Sequence, residues 1–363
     1  MGEIPDTPGT RGRGRAGVSA SAKVVPVDRA VGLALAHDLT EVQADGGKGA
    51  AFRRGHIVRE VDLPRLRRCG KEHVFILDLG ADEFHEDEAA VRLAAALCGD
   101  GVSPSGVPRE GRLDLVASRD GLLKIDHEAL LAFNLLGEVM CATLHTATIV
   151  RRGQRVAGTR AIPLVIRQSL VGEAIRRAGN GVIAVREIAR PRIGVVVTGS
   201  EVSRGLVQDR FGPLLERKAA SLGGCIVGVR LARDDEGEIA AHLQELLAAG
   251  ANLLVATGGM SVDPDDRTRF AADRLGARDI VYGAAVLPGS MCLVAYLPCE
   301  SGEIPLVGLP ACALAHEATV FDLILPRLLA GERIGRREFA ELGHGGLCLR
   351  CERCDFPRCP FGK

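Results

Sequence analysis

The chain has 363 residues, of which 46 are basic and 46 acidic, so its formal net charge is zero. A balanced charge gives no general attraction to nucleic acid or to a membrane surface, so any anion-binding site must be local. The length allows two or three domains with their own cores. No apolar run is long enough to cross a membrane and no apolar signal region occurs near the N-terminus, which predicts a cytoplasmic protein.

The N-terminal half of the sequence combines an arm with a mixed region. Residues 1–23 are rich in Gly, Arg, Pro and Ser and lack apolar periodicity, which predicts a disordered arm. Residues 24–190 alternate short apolar runs with Gly-containing turns, and a strand is expected at 31–36. Residues 86–97 have an acidic first turn and an apolar stripe, as expected of a helix. We therefore predict a mixed α+β, β-rich N-terminal part.

From residue 191 the pattern becomes regular, with short apolar runs separated by helical segments. The predicted strands are 193–197, 225–229 and 253–256, and the predicted helices are 208–222 and 236–249. Such alternation is typical of βαβ units on a parallel sheet. It predicts an α/β domain over residues 191–332, whose last helix should run from 313 to about 329 with Pro326 as a kink or terminator.

Loops of similar chemical character follow three of the predicted strands. They are Thr198-Gly199-Ser200-Glu201, the segment from Thr257 to Asp266, and Gly308-Leu309-Pro310-Ala311. Ligands on parallel sheets bind outside the carboxyl ends of the strands, so these loops should converge on one cleft. Gly258 and Gly259 let backbone N–H groups face an anion, and Ser261 adds a hydroxyl. For this loop alone, a plain βα turn with Asp263 as N-cap is the alternative.

Five motifs occur in a fixed order along the predicted α/β domain. They are Val197-Thr198-Gly199-Ser200-Glu201, Arg233-Asp234-Asp235, Thr257-Gly258-Gly259-Met260-Ser261 with Asp266, Pro288-Gly289 and Gly308-Leu309-Pro310. Together they resemble the molybdopterin-binding domain shared by molybdopterin molybdenumtransferases, molybdopterin adenylyltransferases and gephyrin. Five ordered motifs are far more specific than one loop. The N-terminal part resembles the accompanying domains of the molybdenumtransferase more weakly.

The resemblance implies a three-layer α/β domain that holds a pterin dithiolene phosphate. The implied cofactor-binding residues are Thr198, Gly199, Ser200, Gly258, Gly259, Ser261, Pro288, Gly289, Gly308 and Pro310. The implied catalytic residues, which would also hold Mg²⁺ or its waters, are Glu201, Asp234 or Asp235, and Asp266.

By the same resemblance, the protein acts in molybdenum cofactor biosynthesis. It would insert molybdate into adenylylated molybdopterin with release of AMP. A homodimer is expected, a molybdoenzyme apoprotein is a candidate partner, and neither nucleic acid nor a membrane is an expected partner.

The chain departs from the transferase pattern at several positions. The family segment Lys-Pro-Gly-Lys-Pro is replaced by Leu287-Pro288-Gly289-Ser290-Met291, so both lysines are absent. The family segment Gly-Leu-Pro-Gly-Asn-Pro is replaced by Gly308-Leu309-Pro310-Ala311-Cys312-Ala313, and an acidic string near the family's N-terminus has no counterpart. These changes support binding better than catalysis. A non-catalytic carrier or sensor of the cofactor, and a structural scaffold, therefore stand beside the transferase as alternatives.

The C-terminal segment 343–363 carries four closely spaced cysteines, Cys348, Cys351, Cys354 and Cys359. Four thiolates on a Gly- and Arg-rich segment predict a metal site. The spacing, followed by Pro360, resembles the bacterial ferredoxin run and favours an iron–sulfur cluster slightly, while a Cys₄ zinc site has the same ligand count. The tail is expected to fold around its metal by itself, so that deletion of residues 344–363 leaves a soluble protein that still binds pterin.

Overall fold

The computed structural model describes residues 23–42, 48–199, 208–258, 268–300 and 302–363. The strands, in chain order, are β1 (Lys23–Pro26), β2 (Leu39–Val42), β3 (Lys48–Phe52), β4 (His73–Ile76), β5 (Glu83–His85), β6 (Val102–Arg109), β7 (Arg112–Ala117), β8 (Gly121–Ile125), β9 (Val139–Thr143), β10 (Ile149–Val150), β11 (Arg155–Ala161), β12 (Val165–Arg167), β13 (Ile183–Arg186), β14 (Arg192–Thr198), β15 (Cys225–Ala232), β16 (Leu253–Thr257), β17 (Arg278–Tyr282), β18 (Leu293–Cys299) and β19 (Gly302–Leu309). The helices are α1 (Leu63–Arg68), α2 (Glu86–Leu97), α3 (His127–Asn134), α4 (Gln168–Ala178), α5 (Phe211–Ser221), α6 (Glu236–Ala248), α7 (Thr268–Arg274), α8 (Val320–Leu329) and α9 (Arg336–Glu341). In the described ranges, every helix is too short or too polar to cross a membrane.

The first compact unit is formed by the described residues of 1–118, 125–144 and 152–184. It contains an antiparallel sheet in the order β6-β7-β11-β9 and three two-stranded sheets, β1-β4, β2-β3 and β5-β12. Helix α2 packs its buried Leu93 and Leu97 against the four-stranded sheet. The predicted helix at 86–97 and the β-rich character are confirmed.

The strand expected at 31–36 is not formed. Within that segment, Ala34 and Leu35 make only isolated bridges, to Ile57 and Ile76 respectively. Leu35 is fully buried in a small core with Leu66. The apolar run therefore reflects core packing of an irregular segment, which apolar composition alone does not distinguish from a strand.

Glu86, the first residue of α2, is buried although it carries a carboxyl group. Burial raises the pKa of this carboxyl, and repulsion from Asp87 raises it further, to about 7. The folded state therefore holds a proton that the unfolded chain releases near pH 4.5. The free energy of unfolding should be highest below that pH and should fall as the pH rises to about 7, because the carboxylate is then charged in a buried site.

The variant Glu86→Gln should remove this pH dependence. An amide of the same shape stays neutral, so the variant should match the wild type near pH 4.5 and exceed its free energy of unfolding at pH 8 by up to about 3 kcal/mol. Urea unfolding at the two pH values measures the difference. Glu128→Gln, at an exposed position of α3, is the matched control and should leave the pH profile unchanged. Parallel profiles for Glu86→Gln and wild type would contradict this account.

The second compact unit is formed by the described residues of 119–124, 145–151 and 185–363. Its central six-stranded sheet has the order β15-β14-β16-β19-β18-β17. The first four strands are parallel, and β18 and β17 are antiparallel. Helices α5, α6, α7 and α8 follow the four parallel strands β14, β15, β16 and β19.

Helices cover both faces of the six-stranded sheet. On one face, Val195 of β14 packs in a core with Leu215 of α5 and Phe321 of α8. On the other face, Val196 packs in a core with Leu243 of α6. Successive side chains of a strand point to opposite faces, so one strand serves both cores. The result is a three-layer α/β domain, which confirms the predicted fold class.

The last long helix of the domain begins later than predicted, at Val320 instead of residue 313. Residues 311–314 form a 3₁₀ turn, and Thr319 caps α8 by accepting a hydrogen bond from the N–H of Phe321. Asp322 completes a capping box by accepting from the N–H of Thr319 at 2.8 Å. The helix ends at Leu329, as predicted, and it continues through Pro326, so of the two predicted roles for this proline that of terminator is excluded.

The cysteine tail, residues 343–363, is part of the core of the second unit. Phe361 is 3% exposed and lies in the same core as α8. A Cβ on Gly362 would come within 2.3 Å of the Leu323 side chain. This packing argues against a separable tail, because its removal would uncover the core beside α8. The domain limits drawn from the sequence remain a proposal.

Candidate functional site

The carboxyl ends of the four parallel strands lie in register. Thr198 of β14 pairs with Ala232 of β15. Thr257 of β16 lies between Val197 of β14 and Leu309 of β19. Because the strands end side by side, the loops that follow them leave the sheet at one edge, hereafter the strand-end cleft.

The two central strands are joined at this edge by close contacts. The Thr198 hydroxyl donates a hydrogen bond to the Thr257 carbonyl at 3.0 Å. Gly258 has a positive φ of 84°, and a Cβ there would lie 2.4 Å from the Thr198 carbonyl oxygen. The Thr268 hydroxyl, at the start of α7, donates to the Gly258 carbonyl at 3.2 Å. The turn after β16 therefore requires glycine at position 258.

The predicted Pro288-Gly289 and Gly308-Pro310 motifs reach the same edge. Leu293, the first residue of antiparallel β18, pairs with Gly308 near the end of β19. The segment that precedes β18 therefore ends beside the carboxyl ends of the parallel strands. Gly289 packs on α8, where a Cβ would lie 2.5 Å from Val320 Cγ1. The Pro288 carbonyl accepts a hydrogen bond from the Val320 N–H at 3.2 Å. The structure thus brings Thr198, Gly199, Gly258 and these two motifs to one edge of the sheet.

The acidic candidates differ in what the structure shows. Asp235 is the N-cap of α6 and accepts a hydrogen bond from the Glu238 N–H at 2.8 Å, so it has a structural role. Asp234 is half-buried and lies two residues after the end of β15, and it stays the proposed site residue of that pair. Glu201 and Asp266 lie outside the described residues, as do Ser200, Gly259 and Ser261.

Two threonines at the cleft were not predicted as site residues. The Thr257 hydroxyl is fully buried and has no hydrogen-bond partner among the described residues. A buried hydroxyl without a partner is costly, so such groups often serve a ligand. Thr268 fixes the Gly258 carbonyl. The sequence signal for Thr257 is its place at the start of the motif Thr257-Gly258-Gly259-Met260-Ser261, directly after the predicted strand 253–256.

The four cysteines of the tail share one cavity in the second unit. The cavity has a volume of about 240 Å³ and is lined by Cys348, Cys351, Cys354 and Cys359, with His316 on its wall. All four thiols are free, and the side chains of Cys351 and Cys354 are exposed. Across the described part of the chain, no three His, Cys, Asp or Glu side chains converge closely enough to hold a metal ion.

Two family models match separate parts of the chain. Residues 194–330 match the family described as a probable molybdopterin binding domain. Residues 24–78 match a domain of unknown function, DUF8806. The first match covers nearly all of the six-stranded sheet and the strand-end cleft.

Curated relatives match a shorter stretch. The CinA-like protein of Mycolicibacterium vanbaalenii is 38% identical over 95 residues, which are 26% of this chain and 22% of the relative. The CinA-like protein of Mycobacterium leprae is 34% identical over 94 residues, with the same two shares, 26% and 22%. The chain thus spans less than a quarter of these relatives. Among solved structures, the tungsten cofactor synthesizing protein MoaB from Pyrococcus furiosus is 17% identical with a TM-score of 0.33, covering 40% of this chain and 98% of that one.

The close contact at Gly258 yields a test with a matched control. Gly258→Ala should lower the free energy of unfolding by about 3–5 kcal/mol, because a left-handed backbone conformation and a clash act together. Gly283→Ala has the same kind of backbone, with φ of 85°, and no atom within 4 Å of the added Cβ. It should cost only about 1–2 kcal/mol. Urea unfolding of both variants measures the costs, and equal losses would contradict the packing described for Gly258.

Proposed function

We propose that this chain, whose residues 194–330 form a domain of the molybdopterin-binding family, binds molybdopterin or its adenylylated form at the strand-end cleft. In this role it acts in molybdenum cofactor biosynthesis. The observation that carries the proposal is the shared edge at which four parallel strands end in register, with glycine turns at Gly199 and Gly258. The buried Thr257 hydroxyl, which has no partner among the residues that the structure describes, is a further group that a ligand would satisfy.

The chemistry of this edge suits a phosphorylated pterin. Backbone N–H groups of glycine turns bind phosphate oxygens without a side chain in the way. In the loop after β16, Gly259 and Ser261 would supply such donors beside Gly258. Gly308, on the α8 side, would leave room for the pterin ring, since it carries no side chain, while the space beside Gly289 is filled by Val320.

Carboxylates near the cleft are proposed to hold Mg²⁺ or its waters. The proposed set is Glu201, Asp234 and Asp266, of which the structure describes Asp234. Oxygen ligands of this kind are the ones Mg²⁺ prefers, and the ion would neutralise phosphate charge. Asp234 fits this role because it lies two residues beyond the last residue of β15, on the edge where the parallel strands end.

Transferase chemistry is the proposed activity, and a carrier is the second candidate. The three proposed Mg²⁺ ligands Glu201, Asp234 and Asp266 favour the transferase, in which molybdate replaces the adenylate. The absence of lysine on either side of Pro288-Gly289 favours a protein that holds and transfers the finished cofactor, since no cation is placed there to bind an oxyanion. We further propose that the protein acts in the cytoplasm as a homodimer and delivers its product to a molybdoenzyme apoprotein.

The four cysteines are proposed to bind one metal centre, either zinc or an iron–sulfur cluster. Their common cavity supports this assignment, because four thiols around one space supply a complete ligand set for either centre.

Pterin binding is tested by two substitutions in the loop after β16. Ser261→Ala and Asp266→Ala should each weaken molybdopterin binding by about tenfold to a hundredfold, because each removes one hydrogen bond or carboxylate contact to a charged ligand. Ser221→Ala and Asp273→Ala, at exposed positions of α5 and α7, are matched controls and should bind as the wild type does. Undiminished binding by both site variants would place the ligand elsewhere.

An assay of AMP release separates the enzyme from the carrier. The transferase releases AMP from adenylylated molybdopterin when molybdate and Mg²⁺ are added, and Asp266→Ala should release at least tenfold less AMP even at substrate concentrations that saturate its weakened binding. A carrier binds the pterin tightly and releases no AMP under the same conditions. The wild-type protein without molybdate is the background control.

A further inference from the structure

The cysteine cavity lies against the segment that leads into the strand-end cleft. The Leu287 N–H donates to the Gly346 carbonyl at 2.8 Å, and the Cys348 N–H donates to the Leu287 carbonyl at 2.8 Å. The first cysteine is therefore bound through its backbone to the residue directly before Pro288-Gly289. If the tail changes its conformation, these two backbone hydrogen bonds transmit the change to Leu287 and the Pro288-Gly289 motif.

The opposite wall of the cavity also belongs to a cleft loop. Residues 315–318, which include His316, line the cavity and connect the Gly308-Pro310 motif with α8. Val320, the first residue of α8, is the residue that Gly289 contacts. The cysteines thus lie between the continuations of two predicted cofactor-binding loops.

The local chemistry favours thiolate ligands. The Cys348 sulfur accepts a hydrogen bond from the Arg350 N–H at 3.5 Å, and Arg350 adopts a left-handed conformation with φ of 52°. Hydrogen bonds from backbone N–H groups to ligand sulfurs are typical outer-shell contacts of metal–thiolate sites. His316 adds an imidazole, a second ligand type suited to zinc or iron.

Metal binding would require the tail to move. Cys351 and Cys354 are exposed while Cys348 and Cys359 are half-buried and pack against the core of the second unit. An ion or cluster at the cavity must draw the two exposed thiols toward the two fixed ones. This step orders the tail against both Leu287 and the loop 315–318.

We propose that a thiophilic zinc or iron centre, with four ligands drawn from Cys348, Cys351, Cys354, Cys359 and His316, binds in this cavity and braces the strand-end cleft. Metal and pterin then bind with positive cooperativity, a statement that rests on the proposed function. Linkage requires the coupling to be reciprocal: the factor by which metal improves pterin affinity equals the factor by which pterin improves metal affinity.

The test compares metal-loaded and chelator-stripped full-length protein, both prepared without oxygen. Molybdopterin should bind at least about fivefold more tightly to the loaded form, the lower end of ordinary allosteric coupling. The double variant Cys351→Ser/Cys354→Ser should bind pterin as the stripped protein does. Cys225→Ser, at an exposed cysteine on edge strand β15, is the matched control and should retain metal and the full coupling.

The reciprocal measurement titrates Zn²⁺ against a chromophoric chelator with and without molybdopterin. The affinity of the protein for Zn²⁺ should rise in the presence of molybdopterin by the factor by which metal raises the affinity for molybdopterin. Iron with acid-labile sulfide identifies a cluster, and one zinc per colourless chain identifies a mononuclear site. His316→Ala should weaken metal binding, and unchanged metal affinity would remove His316 from the ligand set.

Three results would overturn parts of this proposal separately. Four freely titrating thiols and no bound zinc or iron would exclude the metal site. Metal binding with pterin affinity unchanged within twofold would exclude the brace. Metal binding without molybdopterin binding to either form would overturn the proposed function and the coupling. The measured metal affinity would then still support the metal site.

Discussion

The hydrogen bond between the Thr198 hydroxyl and the Thr257 carbonyl fixes the edge of the sheet on which the site depends. It joins the ends of the two central strands, and the turn at Gly258 lies so close to Thr198 that a side chain cannot fit between them. This contact sets where the loop after β16 leaves the sheet. The neighbouring strands β15 and β19 pair in register with these two strands and end at the same edge of the sheet. The loops that follow all four parallel strands therefore begin at that edge.

The α8 side of the cleft depends on a second set of contacts. The capping box of Thr319 and Asp322 fixes the first turn of α8, and Val320 then contacts Gly289. Lys218 of α5 forms a largely buried ion pair with Asp322 and also donates to the Glu317 carbonyl at 3.0 Å. The start of α8 is thus held by α5, by the Pro288-Gly289 segment and, through the core around Phe361, by the cysteine tail.

Much of the second unit could be predicted from the sequence, because local signals and tertiary packing agree there. The alternation of apolar runs and helical segments gave the strand and helix order, and the motifs at Thr198, Gly258 and Gly308 marked the strand ends. The start of α8 was missed because the apolar residues 311–315 continue the composition of the helix toward the N-terminus. Only the pair Thr319 and Asp322 marks the boundary.

Other features depend on contacts between residues distant in sequence. The sequence of the tail shows four cysteines, but not that Phe361 enters the core or that Cys348 bonds to Leu287. The irregular path of residues 31–36 follows from burial of Leu35 against Leu66, which no local pattern reveals. For the same reason, the buried Thr257 hydroxyl could not be recognised as lacking a partner among the described residues before the fold was known.

The central claim is that the strand-end cleft is the pterin site. A crystal structure of the protein with molybdopterin bound tests it most directly. We expect the phosphate within hydrogen-bond distance of backbone N–H groups in the turns after Thr198 and Thr257, with the pterin ring toward Gly308. Pterin bound in the first unit, or in the cysteine cavity with the strand-end cleft empty, would contradict the account.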